Sequence, residues 1–182
     1  MAPSDTPVNR GKPVSFKPAI LVIGWLLFSA FAFWWYDYRY WQSYPDHLVQ
    51  FESKAIEKLY PILNTSNSEK TLVVHFADDD CPCEAYRVAH VEDIQPVLSQ
   101  SQQVTIKRSD AEDLGLNLAA SPSVAIWNEA GELAYFGPYS SGMTCGTGFD
   151  FVSMVFSKLN DKVNPQWINT QGFGCFCSWQ ED

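Results

Sequence analysis

The spacing of hydrophobic and polar residues changes several times along the chain, and each change predicts a different element. Residues Ala19 to Tyr36 read AILVIGWLLFSAFAFWWY, an uncharged stretch that would cover about 27 Å of hydrocarbon as a helix, just enough to cross a bilayer. From Asp46 to Leu63, Leu48, Phe51, Ile56, Leu59 and Ile62 recur near helical spacing behind a plausible N-cap at Asp46. After a polar turn over Asn64 to Lys70, Thr71 to Ala77 (TLVVHFA) is a short apolar run with β-branched residues, the pattern of a buried strand. Pro82 suits a first helical turn, and Ala85, Val88, Val91, Ile94 and Leu98 form an apolar stripe behind it. Gln103 to Lys107 alternates as a strand, and Asp110 to Leu116 predicts one or two helical turns ended by Gly115. Ser123 to Trp127 and Glu132 to Phe136 read as strands joined by a turn over Asn128 to Gly131, and Gly148 to Lys162 reads as a closing helix.

This pattern divides the 182 residues into an N-terminal segment 1–18, a transmembrane helix 19–36, an aromatic juxtamembrane linker 37–45, a domain 46–163 and a tail 164–182. Trp34, Trp35, Tyr36, Tyr38, Tyr40 and Trp41 crowd one end of the span as an interfacial belt would. Arg10, Lys12 and Lys17 precede the span while only Arg39 closely follows it, so the positive-inside rule places the N-terminus in the cytoplasm. The expectation is a single-pass protein held in lipid through residues 19–36, with its domain extracytoplasmic, or periplasmic in a bacterium. Ala30-Phe31-Ala32 also fits a signal-peptidase site, but the aromatic continuation of the apolar stretch favours an anchor.

Composition adds a core and removes one class of partner. Hydrophobic residues make up 46% and charged residues 18%, and the net charge is −9. Residues 1–36 hold three of the twelve basic and one of the twenty-one acidic residues. The remainder therefore carries nine basic and twenty acidic residues, a balance of −11. Nucleic acid is excluded as a partner, because its phosphates require clustered Lys and Arg.

The element order resembles the thioredoxin superfamily over residues 46–162. Four features carry the resemblance: the apolar strand leading to Cys81 and Cys83, Pro82 between them, Ser121-Pro122 opening the hairpin 41 residues after Cys81, and Gly137 after its last strand. It implies an α/β fold with a thioredoxin-like mixed sheet flanked by helices. It also implies a cis-proline at Pro122 lying against the cysteines, with Cys81 as attacking thiol and Cys83 as its resolving partner. His75 occupies the place of a buried proton-handling acid in that family, and could accept a proton from the more buried thiol. A hydrogen-bonded core histidine is the plainer reading, while His47 and His90 read as surface residues of helices.

The cysteines also depart from the family, because only Pro82 separates Cys81 from Cys83. A disulfide across one residue closes a small strained ring, which favours redox turnover. A Cys-x-Cys pair is equally a compact chelate for copper or zinc. The helix N-terminus would lower the thiol pKa, whereas Asp78, Asp79, Asp80 and Glu84 disfavour the thiolate. A second pair, Cys175 and Cys177, lies in a tail that can span about 33 Å if extended, enough to return to the first pair; Cys145 is expected at the same end of the sheet. Three readings stay open. The first is thiol–disulfide exchange with an unidentified protein partner, needing no cofactor and using Cys81, Cys83, His75 and Pro122. The second is a metal module using Cys81, Cys83, Cys145, Cys175 and Cys177, and the third is an adaptor whose cysteines only staple the fold. Asn64-Thr65-Ser66 is a glycosylation sequon in a secretory eukaryotic host alone.

Overall fold

The computed structural model describes residues 17–36, 38–45, 54–63, 70–116, 118–142 and 149–179. Its contacts divide the chain into two units, Met1–Tyr38 and Arg39–Asp182. The first holds one helix among its described residues, α1 (Lys17–Tyr36), with no buried residue. A helix apolar all round and without a packed face is suited to lipid, and α1 is long and apolar enough to span a membrane. Phe31, Trp34 and Trp35 cluster near its end, with ring centroids 6.1–6.5 Å apart.

The second unit is a mixed α/β domain. Its elements run β1 (Trp41–Ser43), α2 (Tyr60–Leu63), β2 (Leu72–Ala77), α3 (Glu84–Asp93), α4 (Gln95–Leu98), β3 (Gln102–Lys107), α5 (Arg108–Asp113) and β4 (Ala120–Ser121). They continue through β5 (Ser123–Trp127), β6 (Leu133–Gly137), β7 (Ser140–Ser141), β8 (Phe149–Asp150), α6 (Phe151–Asn160), β9 (Trp167–Ile168), β10 (Phe173–Cys175) and β11 (Cys177–Ser178). The central sheet has the order β3-β2-β5-β6-β9. β2 is parallel to β3 and antiparallel to β5, β5 is antiparallel to β6, and β6 is parallel to β9.

Every residue of β2 is buried because the sheet is covered on both faces. Alternation sends Leu72, Val74 and Phe76 into a core with Ala125, Trp127, Phe136 and Ala111 of α5. Val73 joins the opposite core, with Ile126, Tyr135 and the Phe151, Val152 and Val155 side of α6. The predicted hairpin turn is closed by Asn128, whose side-chain oxygen accepts from the backbone amides of Ala130 and Glu132 at 3.0 and 2.9 Å. Helix α6 starts later than the spacing suggests because Asp150 caps it, accepting from the Ser153 amide at 3.1 Å.

Two expectations are corrected. The helix expected over Asp46 to Leu63 is interrupted by a turn at residues 58–59, between a helical stretch at 54–57 and α2; Pro61 has no amide to donate and crowds the carbonyl four residues earlier. Its start at Asp46, together with His47, lies outside the described residues. His90 is buried at 1% exposure rather than on the surface, with Nε2 3.5 Å from Asp150 and its ring edge-on to Tyr139. Residues 39–45 and 164–179 also pair within this unit: β9 extends the central sheet, β10 pairs with β1, and β11 pairs with β4. Main-chain pairing is available to any sequence with open strand edges, so hydrophobic periodicity gave no sign of it.

Candidate functional site

β2 ends at Ala77, and the chain turns through Asp78, whose carbonyl accepts from the Cys81 amide at 3.0 Å and whose side chain accepts from the Asp80 amide at 3.0 Å. Cys83 then caps α3, and the Cys81 carbonyl accepts from the Glu84 amide at 3.0 Å. Both cysteines therefore sit at the positive end of a helix, where a thiolate is stabilised. The tail approaches from the other side. β10 sets Cys175 opposite Trp41, and β11 sets Cys177 opposite Ser121. Residues two apart in extended chain project to the same side, so both tail sulfurs reach the first pair.

The two Cys-x-Cys pairs are bonded crosswise. Cys81 is joined to Cys177 and Cys83 to Cys175, with Cα separations of 5.9 and 5.4 Å. The ring across Pro82 considered from spacing is therefore not the pairing found. The two bridges also touch, with Cys177 Sγ 3.9 Å from Cys83 Sγ. Cys83 is fully buried, Cys81 and Cys175 are buried at 5% and 9% exposure, and Cys177 is half-buried. Tyr40, Trp41 and Tyr86 pack around the cluster. The Ser121–Pro122 bond is cis, and Cys81 Sγ lies 4.0 Å from the Ser121 carbonyl oxygen.

Behind the sulfurs runs a buried polar chain. His75 Nε2 lies 3.3 Å from Gln103 Oε1, and His75 Nδ1 lies 2.6 Å from the Tyr139 hydroxyl. Gln103 uses its amide nitrogen on the Leu98 carbonyl, so its oxygen accepts from His75 Nε2–H and leaves Nδ1 to accept from Tyr139. Burial drives the His75 pKa down to about 4, opposed by the Gln103 bond and assisted by repulsion from Arg87. Arg87 Nε donates to Glu84 at 2.6 Å. Burial lowers the guanidinium pKa, but the bonds to Glu84 and to the Tyr139 hydroxyl outweigh it and leave the pKa raised. Arg87, Tyr139, Pro122 and Cys175 line a cavity of about 20 Å³, room for one water.

Cys81, Cys83 and Pro122 are thus brought together, with Cys175 and Cys177 beside them. Both ring nitrogens of His75 are engaged, by Tyr139 and Gln103, and neither is left to a thiol. Cys145 lies outside the described residues. Sequence reasoning passed over Arg87 and Tyr139. Arg87 has a local signal in its i,i+3 spacing from Glu84, whereas Tyr139 lies 64 residues from His75, and nothing local announces that contact. Cys81, Cys83 and Cys177 have sulfur atoms within 4.8 Å of one another, close enough to exchange disulfides or to share a metal ion.

No curated protein matches the chain. A solved structure described as an uncharacterized conserved protein from Geobacillus kaustophilus is similar at 16% identity and a TM-score of 0.42, covering 66% of this chain and 82% of its own. A family model, by contrast, matches residues 49–179 and takes in β2, both Cys-x-Cys pairs and the strands between them. The chain belongs to the family described as Domain of unknown function (DUF6436).

Proposed function

We propose that the protein is a membrane-anchored, extracytoplasmic thiol–disulfide oxidoreductase-like protein whose domain is thioredoxin-like. The contact between the two disulfides, 3.9 Å from Cys177 Sγ to Cys83 Sγ, is the observation that carries this reading. The strand order β3-β2-β5-β6, the cysteines at the start of α3 and the cis Ser121–Pro122 bond support the thioredoxin-like assignment. Arg10, Lys12 and Lys17 before α1 support the orientation.

In the direction of substrate reduction, the Cys81 thiolate attacks a protein disulfide, forming a mixed disulfide and releasing one substrate thiolate, which takes up a proton. Cys177 then attacks Cys81, the second substrate thiolate leaves, and the Cys81–Cys177 bond forms. Two electrons have passed to the substrate. If the inner pair is reduced, the Cys83 thiolate attacks Cys177 across the short gap, forming a Cys83–Cys177 bond and freeing Cys81. Cys175 next attacks Cys83 and frees Cys177, so the oxidising equivalent comes to rest in Cys83–Cys175. The four thiols thus hold two electron pairs, and the attacks by Cys81 and Cys83 run through thiolates favoured by the helix terminus. Arg87, beside Cys175 in the small cavity, is placed to favour the inner thiolate.

The test is the rate at which the reduced full-length protein, kept in detergent, exchanges with a model disulfide. Wild type should exchange faster than Cys81→Ser, which loses the attacking sulfur. Cys83→Ser should keep a first turnover and lose the second. Equal rates for wild type and Cys81→Ser/Cys83→Ser would reject the oxidoreductase reading and leave the cysteines as staples.

A further inference from the structure

The four clustered sulfurs fit a second chemistry that appears only when both bridges are open. A zinc ion held by four thiolates at about 2.3 Å requires sulfur–sulfur edges of about 3.8 Å in a tetrahedron. The Cys83–Cys177 edge is already 3.9 Å, and Cys81, Cys83 and Cys177 lie within 4.8 Å of one another. Cys175 is bonded to Cys83 in the oxidised chain, so opening that bridge leaves it as the fourth thiol beside the three-sulfur cluster, and rotation of its side chain onto the ion completes the four-sulfur shell.

The backbone holds these four residues in place by means other than the bridges. Cys83 is the cap of α3. Trp41 pairs with Cys175 and Ser121 with Cys177 along two short ladders, and the Phe176 amide donates to the Tyr40 carbonyl at 3.0 Å. Phe176 and Trp179 are buried in the main core on either side of Cys177. Cleaving the disulfides therefore leaves four thiols near one another, three of them buried, instead of releasing the tail.

We infer that the reduced domain is a zinc site made of Cys81, Cys83, Cys175 and Cys177, and that oxidation and zinc exclude each other there. Two equivalents of a dithiol reductant supply the four electrons and four protons that open the two bridges, and each reductant becomes a disulfide. One Zn²⁺ then displaces the four thiol protons and leaves a centre of charge −2, with the Arg87 guanidinium lining the same cavity as Cys175. Four thiolates in tetrahedral array suit zinc, which has no geometric preference of its own and takes a closed four-sulfur shell in structural sites. This inference uses the crosswise geometry alone and does not depend on catalysis of exchange.

The experiment takes the full-length chain in detergent, reduced and freed of reductant without air, and adds zinc or cadmium salt alone. One zinc per reduced chain by native mass spectrometry is expected, with none on the oxidised chain. Cadmium should give an ultraviolet thiolate charge-transfer band of four-sulfur intensity. Alkylation of the zinc-loaded wild type, mapped by peptide mass, should spare Cys81, Cys83, Cys175 and Cys177, and alkylation of the metal-free reduced chain should modify them. Cys175→Ser should weaken zinc by more than the roughly 10–100-fold that loss of an outer hydrogen-bonding partner costs. Absence of stoichiometric metal on the reduced wild type, or zinc-dependent protection that omits one of the four, overturns the inference; both readouts use wild type and so do not depend on a variant folding. Exchange with a model disulfide, measured on the metal-free reduced sample, reports separately on the oxidoreductase reading.

Discussion

Removing the two bridges one at a time and together should give stability losses that do not add. The loops are nested, because Cys83–Cys175 (92 residues apart) lies inside Cys81–Cys177 (96 residues apart). A lone cross-link over 96 residues restricts the unfolded chain by about 4.7 kcal/mol on the loop-entropy relation. Once it is in place, the second bridge closes a ring of only six residues, 81–83 and 175–177. That smaller ring contributes about 2 kcal/mol. Cys83→Ala/Cys175→Ala and Cys81→Ala/Cys177→Ala should therefore each cost about 2 kcal/mol, and the quadruple alanine variant about 7 kcal/mol. The assay is urea unfolding of the oxidised proteins followed by tryptophan fluorescence, with Trp127 in the core as reporter. Bridges within each Cys-x-Cys pair would close two three-residue rings, worth about 3 kcal/mol in total with no long loop restrained. A quadruple variant losing only that amount, or single-pair losses summing to the total, would refute the crosswise pairing.

The remaining predictions concern His75 and Gly137. The folded His75 pKa of about 4 lies below the ordinary 6.5, so the unfolded chain binds the extra proton between those values. The stabilisation is complete above pH 6.5 and drains away as pH falls towards 4. The wild type should lose about 2 kcal/mol between pH 7 and pH 5 that His75→Gln does not lose, and a His75 ring titrating near 6.5 by NMR would refute this. At Gly137 (φ 152°), a Cβ would meet the Asn169 carbonyl oxygen at 2.6 Å and the Asn169 Cβ at 2.9 Å, just where the Asn169 amide donates to Phe136 at 2.8 Å. Gly137→Ala should cost about 1–3 kcal/mol, more than Gly115→Ala, whose Cβ meets nothing within 4 Å; equal denaturation midpoints for the two would contradict the close approach.

Local pattern alone carried the elements whose cause is local. The apolar run of β2, the hairpin closed by Asn128, the uncharged run of α1 and the cysteines at the head of α3 are each written within at most about twenty neighbouring residues, because apolar patterning, turn chemistry and capping act over that range. The cis bond at Ser121–Pro122 was legible by resemblance, from a single dipeptide at the right distance from Cys81. Cysteine pairing was not, since five cysteines allow many connectivities and the choice rests on where strand edges meet. Tertiary structure alone decided that β10 and β11 pair with β1 and β4, that His90 is buried against Asp150 and Tyr139, and that His75 spends both nitrogens on partners 28 and 64 residues away. Such contacts draw on burial and on backbone groups that every residue carries. Only the packed sheet, by choosing which edges stay open and which side chains lose water, determines them.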